Sequence, residues 1–147
     1  MKRLNFLAII VFFIFIPNLL KAESNTPLKE YLQNKDIEEG STQIFLLNRC
    51  SAIYVYASAI LLKTDPVNSK NFIETANNLL FKSVELMVID EKEKLEKAQE
   101  KAEKKRKKLF DIYIADGKKN WEKNKSHFKG SYISDDMSIC SKLVEDS

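Results

Sequence analysis

Turn-forming residues are nearly missing from this chain, which has three glycines and three prolines in 147 residues. A sandwich or barrel of short strands uses such residues at its hairpins, so a β-rich fold is disfavoured from the outset. Metal ligands are just as few. A metal site needs three or four converging ligands, and His127, the one histidine, has only Glu122, Asp135 and Asp136 as candidate neighbours. No C-x-x-C occurs, which disfavours thioredoxin-type exchange, and no C-x-x-C-H offers covalent haem attachment. Net charge is a further deficit. The formal +3 is accounted for by Lys2, Arg3 and Lys21, so the chain beyond residue 22 is balanced. That balance argues against nucleic acid or an anionic membrane as a partner of the body.

What is present starts with the first 22 residues. Lys2 and Arg3 precede an apolar run from Leu4 to Ile16, broken only by Asn5, and Pro17, Asn18 and Ala22 follow. A basic end, a short apolar segment and a small residue at the exit describe an export signal over 1–22. Leu20 is bulkier than the usual exit residue two positions before a cleavage site. The alternative is an uncleaved anchor, but the run spans about 20 Å as helix against about 30 Å of hydrocarbon. The expected location is therefore the periplasm or the exterior, with no stable membrane insertion once the signal is removed.

Residues 23–40 are polar. Thr26-Pro27 can cap a short helix through Leu28, Tyr31 and Leu32 that docks loosely, and Gly40 closes the segment. From 41 to 147 the chain reads as one helical domain. Over 41–63, Leu46, Cys50, Ile53, Ala57, Ile60 and Leu61 share a broad face at 100° per residue. Ser41, Asn48, Ala52, Ala59 and Lys63 fall opposite, while Phe45 and Tyr56 widen the apolar surface. Asp65-Pro66 is a restart signal, an acidic cap followed by proline at the first helical position. A second helix over 67–90 follows, with Ile73, Ala76, Leu80, Val84 and Met87 inward. A short turn makes it antiparallel to the first.

No breaker follows the second helix. Residues 90–108 read DEKEKLEKAQEKAEKKRKK, nearly all strong helix formers, so the helix is expected to run on as a charged arm to about 115. Asp116-Gly117 is read as its end. The basic run Lys104, Lys105, Arg106, Lys107 and Lys108 lacks interleaved aromatics for base stacking and reads mainly as a solvated face. Trp121 and Phe128, seven apart, would share a face if helical. Gly130 breaks that segment, and Ser134-Asp135-Asp136 reads as the cap and acidic first turn of a last helix. Ile133, Met137, Cys140 and Val144 would form its inner side.

Two inward-facing cysteines in an exported chain make a Cys50–Cys140 bridge the expectation. Along an unbroken helix from 67 to 116 the sulfurs can only just meet, and a break near Lys104–Lys108 would ease the reach. Closing so long a loop contributes about 2–4 kcal/mol, mostly by restricting the unfolded chain. His127 lacks a recognisable nucleophile or ligand set, and Asn124-Lys125-Ser126 is a chance-level glycosylation sequon.

The reading is an all-α antiparallel bundle or hairpin with one long charged helix and a single disulfide. Its expected role is non-enzymatic binding or scaffolding in the cell envelope, without a cofactor or nucleic acid, with another envelope protein as partner. The candidate contact surface is Lys104–Lys108 or the Trp121–Phe128 segment. Two alternatives stand beside it. One is a small-ligand or haem-binding bundle in which Met87 or Met137 would oppose His127. The other is a membrane-associated protein held by its leader.

Overall fold

The computed structural model describes residues 26–145. The export signal expected over 1–22 lies outside the described residues. Within them the chain forms five helices and no strand: α1 (Leu28–Leu32), α2 (Gly40–Leu61), α3 (Pro66–Ile89), α4 (Leu95–Asn124) and α5 (Tyr132–Glu145). The all-α expectation is met.

Helix α2 is the axis around which the others pack, touching α3, α4 and α5, while α1 rests on α5. Its apolar side carries Phe45, Leu46, Cys50, Ile53 and Tyr56, as the periodicity predicts. Part of its opposite side is also enclosed: Asn48 and Ala52, expected to face outward, are fully buried, while Ser41, Ala59 and Lys63 are exposed as expected. Small side chains make this possible. Ser51 donates to the Ala76 carbonyl at 2.7 Å, and Ser58 to the Ser69 carbonyl at 2.8 Å, with Ser69 returning a bond to the Ser58 carbonyl. Asn48 donates to the Ile44 carbonyl and to Ser83 Oγ. These hydroxyls and the Asn48 amide nitrogen replace water with bonds to α3 and to α2 itself, which offsets much of the cost of burying them, while Asn48 Oδ1 is buried without a hydrogen-bond partner. Helix α2 is long and apolar enough to cross a membrane, yet 78% of its apolar window is buried in the fold. It serves as the core helix.

The restart at Asp65-Pro66 is as expected: the Asp65 carboxylate accepts the Asn68 N–H at 3.1 Å, and that bond holds the carboxyl below its ordinary value. At the other end of the hairpin the expectation fails. The chain does not run on as helix but reverses between Asp90 and Lys94, with Lys92 at φ 57°. Glu93 anchors the reversal by accepting from Lys97 and Lys101, and its backbone N–H bonds to the Met87 carbonyl at 3.2 Å. A left-handed lysine costs about 1–2 kcal/mol. Folding back offsets that cost, because Ala98 and Ala102 become fully buried against Ile44, Leu80, Val84 and Met87. A continuous rod would have left both alanines in water. No break near Lys104–Lys108 was needed to ease the reach, since α4 passes through that stretch unbroken.

Helix α4 also passes through Gly117, where its end was expected, and stops at Asn124 with Lys125 in the left-handed cap. Gly117 serves a different purpose. A Cβ there would overlap the Tyr56 hydroxyl and ring, so the missing side chain is what lets α2 and α4 close on each other. Gly40, expected to close the polar segment, instead opens α2, with the Asp90 carboxylate 2.7 Å from where its Cβ would stand.

Helix α1 does not dock loosely. Leu28 is fully buried, and the Tyr31 ring stacks on Phe45 with centroids 3.9 Å apart. Cys50 and Cys140 are disulfide-bonded, Cα atoms 5.3 Å apart, which fastens α5 to the centre of α2. Glycine to alanine inside a helix ordinarily stabilises by up to about 1 kcal/mol. Gly117→Ala is expected to do the opposite and destabilise by about 1–3 kcal/mol, read as a lower urea midpoint of the oxidised protein.

Candidate functional site

Two polar centres lie inside or against the core, and both were missed by periodicity. The first surrounds Asp136, in the first turns of α5. Its Oδ2 accepts Arg49 Nε at 3.0 Å and the Tyr113 hydroxyl at 2.7 Å, and lies 2.9 Å from Arg49 Nη2. Its Oδ1 accepts the backbone N–H of Leu28 at 2.7 Å. Both charged side chains have no exposed surface. Asp136 was expected to cap its own helix; instead it caps α1, whose N-terminal residues have no side-chain cap of their own. Helix α5 begins at Tyr132, two residues before the serine expected to start it.

Electrostatics explain why this pair survives burial. Burial alone would lower the Arg49 pKa, but Tyr113 and Asp136 beside it more than offset that, and the guanidinium is held above its ordinary value. Tyr113 is pushed well above its ordinary value, by burial first, with Arg49 opposing and Asp136 adding. The Arg49 guanidinium also lies 5.3 Å from the Tyr113 ring centroid and 5.8 Å from that of Tyr132. One group of side chains therefore joins α1, α2, α4 and α5, one residue from Cys50. It is enclosed, so it can hold helices together but cannot meet a solute.

The second centre lies where the C-terminal part of α4 meets the loop after it. The Tyr56 hydroxyl and His127 Nδ1 share a hydrogen bond at 3.2 Å. The His127 ring stacks on Trp121, with centroids 4.8 Å apart, and Phe128 packs on Tyr56 at 5.5 Å. Asn120 fixes the loop by donating to the carbonyls of Ser126 and Lys129, at 2.7 and 3.0 Å. Asn124, of the sequon, donates to Asn120 Oδ1 at 2.6 Å. Trp121 and Phe128 do not share a helix face, because α4 ends before residue 128. The loop brings Phe128 back inward while Trp121 stays outside. Met87 lies in the cluster with Ala98 and Ala102, away from His127. Among the described residues no group of three or more histidine, cysteine or acidic side chains converges as metal ligands would.

The basic run is partly occupied. Lys105 Nζ sits 5.0 Å over the Phe45 ring, Arg106 donates to Asn77 Oδ1 at 3.0 Å, and Lys107 bonds Asp111 at 2.6 Å. Lys104 and Lys108 are exposed. Val144, expected on the inner side of α5, is partly exposed beside Phe81. Compared with known proteins, the chain matches no family model, no curated protein and no solved structure.

Removing one member of a buried ion pair leaves the other unpaired inside. Asp136→Asn is expected to cost about 3–5 kcal/mol in urea unfolding. Arg49→Met added to it should recover part of that loss, since the amide oxygen can still accept from Leu28, the amide NH2 can donate to the Tyr113 hydroxyl, and no lone charge remains. A pH effect follows from Tyr56, whose phenol burial pushes from 10.0 up to about 12. Its unfolded form loses the proton first, so stability present below about pH 10 falls as pH rises towards 12. The urea midpoint should drop between about pH 9 and about pH 11, and less so in Tyr56→Phe.

Proposed function

We propose that this chain is a non-enzymatic binding or scaffolding component of an exported compartment, acting through its surface rather than through a pocket. The observation that carries the reading is how the interior chemistry is used. Arg49, Asp136 and Tyr113, the side chains best suited to chemistry, are bonded to one another and enclosed. Groups committed to each other in this way stabilise a shape and have no face left for a substrate.

The surface, in contrast, is built around a long rod. Helix α4 is 30 residues, about 45 Å, and its outer side is charged over most of its length. A rigid rod carried on a disulfide-stapled bundle suits a contact role, because the contact residues are pre-positioned and little ordering cost falls on binding. The Cys50–Cys140 bond supports an oxidising location, as does the leader read from the sequence.

The test is fractionation of the producing cells followed by crosslinking and co-purification. The protein should appear outside the cytosol with a mass lacking residues 1–22. A variant with Lys104–Lys108 neutralised should capture its partners less well. Capture of the same partners in the same yield would remove that stretch as the contact surface, and a cytosolic protein with both thiols free would remove the export reading.

A further inference from the structure

Continuation of α4 through Gly117 has a consequence for its outer side. Ile114 and Trp121, seven apart on one rod, fall on the same side of α4, beside Phe110, which is partly buried against the core. Ile114 is 42% exposed and Trp121 47% exposed. Lys107 and Lys118 lie alongside the pair, also exposed. The charge is lopsided as well: from Lys104 to Lys129 there are ten basic and three acidic side chains. Of the three acids, Asp111 is bonded to Lys107 and Asp116 to Lys119. Asp116 also accepts the Tyr132 hydroxyl at 2.8 Å. Glu122 is exposed.

We propose that the apolar pair Ile114 and Trp121, with the lysines around it, lies flat on an anionic lipid bilayer. The inference rests on the surface-contact reading above and names its partner. Charge complementarity selects a negative surface, and each lysine near such a bilayer strengthens binding about fivefold. The apolar residues choose among negative surfaces. A tryptophan and an isoleucine on a convex rod, flanked by long lysines that can reach headgroups, match the interfacial layer of a bilayer. The contact is peripheral, since two apolar residues cannot carry a charged helix into hydrocarbon. Tethering of α4 to α2 at Tyr56 and to α5 through Tyr113 keeps the pair turned outward with no refolding on contact.

Trp121 is the sole tryptophan of the chain, so its fluorescence reports this site alone, whatever the leader does. Full-length protein is titrated with vesicles of phosphatidylcholine containing phosphatidylglycerol, and with phosphatidylcholine alone. The expected result is a blue shift with the anionic vesicles only, reversed by salt. Replacing Lys104, Lys107 and Lys118 by Gln should weaken vesicle binding by roughly 100-fold. Ile114→Ser should weaken it with charge unchanged. Lys63→Gln with Lys82→Gln, elsewhere on the surface, should leave it as in the parent. Circular dichroism and the intact disulfide establish that each variant is folded. The proposal is overturned by the absence of a blue shift, by an equal shift with neutral vesicles, or by unchanged binding of the triple variant. An equal shift with a single-stranded oligonucleotide would overturn it too, as plain polyanion attraction. If vesicles fail while envelope crosslinking still captures a protein, the lipid proposal falls and the binding role stands.

Discussion

The Arg49–Asp136 ion pair is the constraint on which the arrangement of helices depends. Two opposite charges with no exposed surface tolerate burial only if each finds the other and the remaining bonding capacity is filled. Here the remaining capacity of the carboxylate is filled by Tyr113 from α4 and by the first N–H of α1. Four helices therefore have one relative placement in which no charge is stranded. The disulfide one residue from Arg49 acts on the same helix pair, α2 and α5, through the unfolded state rather than the folded one. Covalent and ionic ties thus reinforce the same junction.

Around that junction the core is closed by small residues rather than large ones. Ser51, Ala52, Ser58, Ser69 and Ala76 let α2 and α3 approach until hydroxyls meet carbonyls. Gly117 does the same for α2 and α4 around the Tyr56 phenol. Close approach of this kind leaves room on the inner side of α4 for Leu109, Tyr113 and part of Phe110. Ile114 and Trp121 remain outside on a basic half-rod. Internal fixation and an outward apolar pair are two results of one packing solution.

Much of the fold was legible in the residues themselves. The helical class, the Asp65-Pro66 restart, the inward position of Cys50 and its bridge to Cys140 all follow from patterns a few residues long and from the compartment implied by the leader. Asn48 and Ala52 misled, because a helical wheel ranks polarity and size but does not know that a second helix will come close enough to bond an amide. Asp136 misled for a related reason: an acid in a first turn is ordinarily a cap, and its true partner is 87 residues away.

By itself the sequence determined that this protein is a helical chain with one long charged stretch and a single stapling disulfide. Helix propensity, capping and 3.6-residue periodicity are local, and each can be read where it stands. Only the tertiary structure decided where that stretch turns, that it continues past Gly117, and which charge Arg49 meets. The reversal between Asp90 and Lys94 goes against local propensity and is won by burial of Ala98 and Ala102. A preference of tenths of a kcal/mol per residue yields when folding back removes a whole apolar face from water.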